Sequence, residues 1–304
     1  MSRPSLPGRV RVVEVGPRDG LQNEQAAIPT PLKVAFVEAL AATGLPVIEV
    51  TAFVHPHRVP QMADASSVCR ALQRREGVRY TALVPNLEGL ARAVECGLTE
   101  VAVFAAASET FSRRNINQGI DESLAAYAEV ARAARAAGLR VRGYLSTAFG
   151  CPFEGDVPLT RVAAIAARLV DLGAYEVAVS DTIGVAHPGQ VWDVLDALRG
   201  AVPATAVALH LHDTRGTALA NVLAGLEAGV AVYDASAGGL GGCPFAPGAA
   251  GNLATEDLIY MLDGLGIHTG VRLDGVVAAS RLLQPHIGHA LPSRYLQSRE
   301  RSPN

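Results

Sequence analysis

The feature that most constrains this fold is an alternation of predicted strands and predicted helices that repeats eight times along the chain. Short runs of apolar and β-branched residues alternate with longer amphipathic segments that are rich in alanine and leucine. Such an alternation predicts a parallel sheet with right-handed crossovers. The predicted strands are residues 10–15, 47–53, 79–84, 100–106, 140–146, 175–180, 206–212 and 231–237.

The helical segments between these strands end in a recurrent way. Predicted helices include residues 32–43, 87–96, 122–137, 159–172 and 217–228. Each of these is followed by a glycine shortly before the next strand, and glycine supplies the left-handed C-cap that a tight helix-to-strand turn needs. These glycines are Gly44, Gly97, Gly138, Gly173 and Gly229.

Eight strand–helix units either close into a barrel or remain an open, doubly wound sheet. An open nucleotide-binding sheet is expected to carry a glycine-rich fingerprint after its first strand, whereas here that strand ends in Glu14-Val-Gly-Pro-Arg18-Asp19. We therefore predict an α/β fold of the (β/α)8 TIM-barrel type over residues 9–270. Extra C-terminal helices are predicted at 253–265 and 273–289, before a polar tail. No linker is visible, so residues 1–304 are expected to form one catalytic domain, in which residues 271–304 form the C-terminal helix and tail.

Composition excludes several classes of partner. The formal net charge of the chain is −3, and its acidic and basic residues are spread along the sequence, so no basic face for nucleic acid is expected. No apolar run reaches the roughly 18 residues that cross a bilayer, and residues 1–7 leave no room for a targeting peptide. The four cysteines show no CxxC spacing, so they are interpreted as free thiols in a reducing cytoplasm.

The basic residues also limit the chemistry. Lys33 is the only lysine, and it lies in the first predicted helix, away from the strand ends. Schiff-base and pyridoxal-phosphate enzymes need a lysine amine in the site, so covalent amine catalysis is disfavoured. The Gly-Lys-Ser/Thr sequence of a P-loop is also missing.

The seventh predicted strand ends in a pair of histidines, His210 and His212. Residues at i and i+2 of a strand point to the same side, about 7 Å apart along the chain. Two such imidazoles can reach one metal ion. They can equally be hydrogen-bonded histidines at a strand terminus, and the pair alone leaves both interpretations open.

Other polar residues follow the predicted strands at the same end. In a (β/α)8 barrel the active site lies at the carboxyl ends of the strands. Buried carboxylates there are costly unless they are paired or bind a metal. A ring of salt bridges around Arg18 is the alternative, but the number of polar residues at one rim favours an active site. These residues are Arg18, Asp19, Glu49, Tyr144, Ser146, Asp181, Thr182, His210, His212 and Asp213.

The residue types at this rim indicate which metal is expected. Two imidazoles, one carboxylate and one or two neutral oxygens suit an octahedral divalent cation such as Mg²⁺ or Mn²⁺, not a structural zinc. Cys243 lies in a loop with six glycines, at positions 238, 239, 241, 242, 248 and 251. Such a loop can move, so Cys243 is interpreted either as a proton-transferring thiol on a lid or as a small buried apolar side chain.

Longer motifs give the chain a family resemblance. From about residue 11 to about residue 273 it resembles the metal-dependent 3-hydroxy-3-methylglutaryl-CoA lyases. These belong to a metallolyase superfamily with isopropylmalate synthase and the pyruvate carboxylase transferase domain. The motifs are Val13-Glu-Val-Gly-Pro-Arg-Asp-Gly-Leu-Gln-Asn-Glu24, Val59-Pro-Gln-Met62, Asn115-Ile-Asn117, Gly150-Cys-Pro152, Asp181-Thr-Ile-Gly184, His210-Leu-His-Asp-Thr214, Gly239-Leu-Gly-Gly-Cys-Pro244 and Gly251-Asn-Leu-Ala-Thr-Glu-Asp257.

This resemblance implies a role for each matching residue. The cation would be held by Asp19, His210, His212 and Asn252. Arg18 would bind the thioester oxygen, with Gln22 and Asn115 as further substrate-binding residues. Cys243 would be the catalytic thiol, with His210 as the other candidate proton donor. Glu49 and Asp181 would support the metal and the base.

The implied reaction is cleavage of 3-hydroxy-3-methylglutaryl-CoA, an acyl-CoA, to acetyl-CoA and acetoacetate. A homodimer is also implied, with residues 253–289 as a candidate contact region. Four positions depart from the pattern of the family and put the acyl-chain preference in doubt: Ala52, Thr147, Ser180 and Arg215.

Three other functions compete with this one. The first is a sister lyase acting on a longer or differently substituted 3-hydroxyglutaryl-CoA. The second is a condensing synthase, whose relatives usually carry a further C-terminal domain and lack the glycine-rich lid. The third is an inactive barrel that serves as a binding module, which would be expected to have lost metal ligands.

Overall fold

The structure, a computed structural model, describes residues 5–242 and 251–300. Its eight parallel strands form a closed barrel in sequence order, and β1 pairs with β8 to close it. The predicted TIM barrel is therefore confirmed. The strands are β1 (Arg11–Glu14), β2 (Val47–Ala52), β3 (Arg79–Leu83), β4 (Glu100–Ala106), β5 (Arg140–Ser146), β6 (Val177–Asp181), β7 (Val207–Leu211) and β8 (Val232–Ala235).

Helices surround the barrel and continue after its last strand. A single turn of π-helix, Gly16–Gly20, follows β1 and carries Arg18 and Asp19 into the carboxyl end of the barrel. The α-helices are α1 (Thr30–Ala41), α2 (Ala65–Ala71), α3 (Leu87–Glu95), α4 (Glu109–Ile116), α5 (Ile120–Ala136), α6 (Leu159–Asp171), α7 (Pro188–Leu198), α8 (Ala218–Glu227), α9 (Thr255–Gly264), α10 (Leu273–Ile287) and α11 (Arg294–Glu300).

The C-terminal segment differs from the predicted polar tail because it contains α11. The carboxylate of Asp257 accepts hydrogen bonds from the Ser293 hydroxyl and from the backbone N–H groups of Arg294 and Tyr295. Such contacts satisfy N–H groups that the first turn of a helix leaves free. Leu296 is buried in the core and the partly buried Tyr295 packs against it, so apolar contacts also dock this short helix.

The glycines predicted to end helices all have positive φ. At Gly44, φ is 100°, and a Cβ atom there would lie 2.3 Å from the carbonyl oxygen of Gly270. Both the left-handed conformation and this close approach require glycine. The turn between α1 and β2 is thus fixed by one residue.

Charged side chains cross the barrel interior near the amino ends of the strands. We call this set the amino-end network: Arg11, Arg79, Glu100, Arg142, Glu176 and Asp234. Arg142 donates to Glu176 Oε1 at 2.8 Å and to both oxygens of Asp234 at 3.0 and 2.7 Å. Arg79 donates to Glu100 at 2.8 Å.

A tether outside the barrel fixes α1. The buried Lys33 ammonium donates to the carboxylate of Asp64 at 2.7 Å and to the carbonyl of Gln61. It therefore joins α1 to the turn that precedes α2. In the described part of the chain, every helix is too short or too polar to span a bilayer.

Candidate functional site

A cavity of about 600 Å³ lies at the carboxyl ends of the strands, a volume in the range of small-molecule sites. Its lining is divided between polar and apolar residues. The polar lining includes Arg18, Asp19, Gln22, Asn115, Tyr144, His210 and His212, and the apolar lining includes Leu83, Phe104, Phe111 and Ile116. The cavity lies at the end of the barrel where the site is expected from the sequence.

Asp19, His210 and His212 converge on one point of this cavity. His210 and His212 lie at the end of β7, and their Nε2 atoms are 3.3 Å apart. Asp19 Oδ2 lies 3.8 Å from the first of these nitrogens and 4.0 Å from the second. One ligand atom from each residue lies within 4.8 Å of the others, as metal-binding groups require.

Asn252 reaches the same point from the segment before α9. An isolated antiparallel bridge pairs it with His212, and β7 ends at Leu211, one residue before the predicted end. Its Nδ2 donates to Asp19 Oδ2 at 2.9 Å and to the Leu240 carbonyl at 3.1 Å, while Oδ1 is buried without a partner. Rotating the amide by half a turn would present that oxygen beside Asp19, and the two orientations are equivalent in shape.

These residues fit a divalent cation. Burial and the neighbouring His210 lower the pKa of His212 to about 4, so its imidazole is neutral at pH 7 and keeps a lone pair for a metal. Burial opposes ionisation of Asp19, but Arg18 and the two histidines hold its pKa well below the usual value. A carboxylate, two imidazoles and an unpaired amide oxygen form a donor set for such an ion.

Arg18 lies beside this group and is held in place by carboxylates. Its Nε donates to Glu49 Oε2 at 2.6 Å, and its Nη1 donates to Asp19. Tyr144 donates to the same Glu49 oxygen at 3.1 Å and lies with its ring 5.3 Å from the guanidinium. Burial disfavours the charge on Arg18, but Glu49 and Asp19 outweigh that effect and raise its pKa, so Arg18 remains a cation.

Asp181 is near the site but does not line the cavity. Its oxygens accept the backbone N–H groups of Val185 and Ala186 at 2.9 and 3.0 Å, and burial raises its pKa. Arg215 binds the same loop, because it donates to the carbonyls of Ile183 and Gly184. The geometry gives both side chains a role in holding the loop after β6.

The remaining predicted residues lie around the mouth of the cavity or beyond the described residues. Gln22 lines the cavity, and so does Asn115, which is exposed. Cys243 lies outside the described residues, so its role on a lid stays a prediction. Its chain neighbour Gly242 accepts a hydrogen bond from Asn23 at 2.7 Å.

Sequence reasoning assigned no role to two residues that contact the site. Tyr144 lies at a predicted strand end, but its hydrogen bond to Glu49 crosses the barrel and has no local signal in the sequence. Asp234 accepts a hydrogen bond from His210 Nδ1 at 3.1 Å. The available signal was an acidic residue inside an otherwise apolar predicted strand, the same signal that identified Glu49.

Comparison with known proteins decides the family. A family model described as HMGL-like matches residues 9–283. The chain belongs to the HMGL-like family. It is 51% identical to the mitochondrial hydroxymethylglutaryl-CoA lyase of Bos taurus over 294 residues, and this alignment covers 97% of this chain and 90% of the relative. It is 50% identical over 291 residues to hydroxymethylglutaryl-CoA lyase YngG of Bacillus subtilis, with coverage of 96% and 97%.

Solved structures of HMGL-like proteins agree with the barrel. The hydroxymethylglutaryl-CoA lyase of Pseudomonas aeruginosa has a TM-score of 0.95 at 49% identity and covers 97% of this chain and 98% of its own. A lyase of Acinetobacter baumannii, solved in complex with coenzyme A and 3-methylmalate, has a TM-score of 0.92 at 36% identity, covering 98% and 97%. The predicted resemblance is confirmed, and this HMGL-like chain is a carbon–carbon lyase.

Proposed function

We propose that this chain cleaves 3-hydroxy-3-methylglutaryl-CoA to acetyl-CoA and acetoacetate with the help of a divalent cation. The observation that carries the proposal is the convergence of Asp19, His210 and His212 beside Arg18 in one cavity. The near-full-length identity of 51% to a hydroxymethylglutaryl-CoA lyase supports the same reaction rather than the sister lyase.

In this proposal Asp19, His210, His212 and Asn252 hold the cation, which we expect to be Mg²⁺ or Mn²⁺. Such a cation, when bound, acidifies a substrate hydroxyl and polarises a carboxylate oxygen. A base takes the hydroxyl proton, and the electron pair of that O–H bond forms the ketone of acetoacetate. The bond between C2 and C3 breaks at the same time, and its electron pair leaves as the enolate of acetyl-CoA. The unpaired Asn252 Oδ1 supports the proposed ligand set.

Arg18 stabilises the negative charge that develops on the thioester oxygen. It is suited to this because Glu49 and Asp19 fix its guanidinium before substrate binds. A preorganised donor of this kind contributes roughly 3–4 kcal/mol to catalysis. Glu49 thus acts by orienting Arg18, and Asp181 by holding the loop after β6.

A proton must finally reach the enolate carbon to complete acetyl-CoA. Of the two candidate donors, Cys243 and His210, we propose Cys243, because a His210 that binds the cation through Nε2 has its other nitrogen against Asp234. Gln22 and Asn115 are proposed to bind the acyl-CoA. Arg215 donates hydrogen bonds to two carbonyls of the loop after β6. Any effect of Arg215 on substrate choice is therefore proposed to act through the position of that loop.

The proposal extends to the organisation of the protein. We propose that the barrel and its C-terminal helices form one catalytic domain, because α10 packs on α1 and α9. A homodimer with residues 253–289 in the contact is proposed from the family resemblance. A cytoplasmic location is supported by the free thiols of Cys69, Cys96 and Cys151 and by a relative from Danio rerio whose name includes the word cytoplasmic.

An assay for acetoacetate release tests the proposed reaction. The chain is incubated with 3-hydroxy-3-methylglutaryl-CoA alone, with a chelator, and with the chelator followed by excess Mg²⁺ or Mn²⁺. We expect activity that the chelator removes and the metal restores. A parallel reaction with a branched long-chain analogue tests the sister lyase, and a preference for that analogue would contradict the proposed substrate.

A further inference from the structure

Asp234 connects the proposed metal site to the amino-end network. It lies on β8, is 2% exposed, and its Oδ2 is 3.1 Å from His210 Nδ1. The other nitrogen of the same ring, Nε2, faces Asp19 and His212. One imidazole therefore touches the proposed ligand group with one edge and a buried carboxylate with the other.

Arg142 fixes the carboxylate of Asp234. Its Nη1 and Nη2 donate to Oδ2 and Oδ1 of Asp234 at 3.0 and 2.7 Å, and its Nε donates to Glu176 at 2.8 Å. Glu176 also binds Arg11. Because Arg142 is 1% exposed and forms a two-pronged pair, Asp234 has little freedom to rotate.

We propose that Asp234, locked by Arg142, is a positioning residue that sets the tautomer and ring orientation of His210 for cation binding. An ionised carboxylate only accepts hydrogen bonds, so His210 must carry its proton on Nδ1. Its Nε2 lone pair is then directed at the point shared with Asp19 and His212. This inference rests on the proposed cation-dependent function and adds two residues, Asp234 and Arg142, that need never touch substrate.

The orientation of the ring is consistent with this role. The His210 ring meets Tyr144 edge-on, at 5.9 Å between centroids and an interplanar angle of 85°. The guanidinium of Arg142 lies 5.0 Å from the centroid of the same Tyr144 ring. Contacts from two directions therefore hold His210, and of the two carboxylates near its ring Asp234, at Nδ1, is closer than Asp19, at Nε2.

Asp234→Asn tests the proposal because it preserves size but leaves a single acceptor oxygen. Arg142 is expected to take that oxygen, so the amide N–H2 faces His210 Nδ1 and favours a proton on Nε2. We expect the Kd for Mn²⁺, measured by the electron paramagnetic resonance signal of the free ion, to rise about 10- to 100-fold, as for other carboxylates behind metal-binding histidines. An unchanged Kd in a folded variant would overturn the proposal.

Glu100→Gln is the matched control. Glu100 is a fully buried carboxylate in the same barrel, bound by Arg79 and by the Tyr175 hydroxyl at 2.8 Å each, and touches none of the proposed ligands. It is expected to lower stability while leaving the Mn²⁺ Kd within about twofold of the parent chain. An equal loss of Mn²⁺ affinity in both variants would mean that Asp234 acts only through general stability.

A second measurement needs no stable variant. In the metal-free parent chain, ¹⁵N correlation spectra of labelled histidine report which ring nitrogen carries the proton, and the His210 signal is assigned by its loss in His210→Asn. We expect the Nδ1–H form, and an Nε2–H form would overturn the proposal. If Mn²⁺ binds and the tautomer is as expected but no acetoacetate is released, the proposed reaction fails while this inference stands.

Discussion

The two ends of the barrel interior contain the same kinds of residue but differ in how their polar atoms are used. In the amino-end network, both oxygens of Glu100, Glu176 and Asp234 have donors, and among its atoms only the Nε donor of Arg11 is buried without a partner. At the carboxyl end, Glu49 Oε1, His212 Nδ1 and Asn252 Oδ1 are buried without partners. The carboxyl end also has the cavity.

This difference separates structural charge pairs from a binding site. Buried arginine–carboxylate pairs occur at both ends, so such pairs do not by themselves indicate function. Buried polar atoms without partners are rare in folded proteins and call for an explanation such as a missing ion. Where they lie around the convergent group of Asp19, His210 and His212, a ligand would complete the site.

The largest expected effect comes from Arg18→Gln at the carboxyl end. We expect kcat for acetoacetate release to fall about 10²- to 10³-fold, because the charge that stabilises the enolate is lost. The Mn²⁺ Kd should stay within about threefold, because Arg18 is not a proposed ligand. Steady-state kinetics and metal titration measure the two quantities, and full activity in this variant would refute the enolate role.

Glu100→Ala is the corresponding change at the amino end. It removes acceptors from Arg79 and Tyr175, and we expect the free energy of unfolding to fall by about 2–3 kcal/mol. The kcat of the folded variant should remain within about twofold of the parent. Urea unfolding measures the first quantity, with Glu129→Ala, in an exposed pair with Arg132, as a control expected to lose less than about 1 kcal/mol. A large loss of kcat at constant stability would break the contrast between the two ends.

The next effect concerns pH. Burial raises the pKa of Glu14 to about 8 and that of Glu256 to about 7, from 4.5. Between about pH 5 and pH 8 the folded chain therefore holds more protons than the unfolded chain, so these two groups make stability fall as pH rises. The carboxyls of Asp19 and Asp234 have lowered pKa values, so they contribute no slope in this range.

Glu256→Gln isolates one of these groups. The amide resembles the protonated carboxyl, so we expect the decline in unfolding free energy across this pH range to flatten by about 1–2 kcal/mol. Urea midpoints at several pH values measure the slope. A variant with the same slope as the parent would show that Glu256 is ionised in the folded chain throughout the range.

The smallest expected effect is that of Arg215→Met. Its side chain is exposed and donates to two loop carbonyls, so the free energy of unfolding should fall by only about 0.5–1 kcal/mol. Comparing KM for 3-hydroxy-3-methylglutaryl-CoA with KM for the branched analogue measures any effect of the loop on substrate choice. A loss of kcat as large as that of Arg18→Gln would place Arg215 in the chemistry instead.

Much of the fold follows from local patterns in the sequence. The bounds of β4 and β5 match the prediction, because each strand is a run of seven residues with clear ends. The helix α11 did not follow from its own polar sequence, because its stability depends on Asp257, which is distant in the chain. Local pattern cannot show a cap that arrives from elsewhere.

The candidate site was predictable to a similar extent. The fold alone brings His210, His212 and Asp19 to one end of the barrel, so their meeting could be expected once the strands were placed. The contacts of Asp181 with its own loop and of Asp234 with His210 depend on side-chain direction, which a single sequence does not specify. The placement of Cys243 stays a prediction.

The tether of α1 has a consequence for chemical labelling. Lys33 carries the only side-chain amine of the chain, and that amine is enclosed by Asp64 and Gln61. Reagents that acylate lysines need a free, unprotonated amine, so they have no accessible lysine target in the folded protein. A lysine introduced at an exposed position would therefore become the one reactive lysine of the folded chain, with the α-amino group as the other amine that such reagents attack.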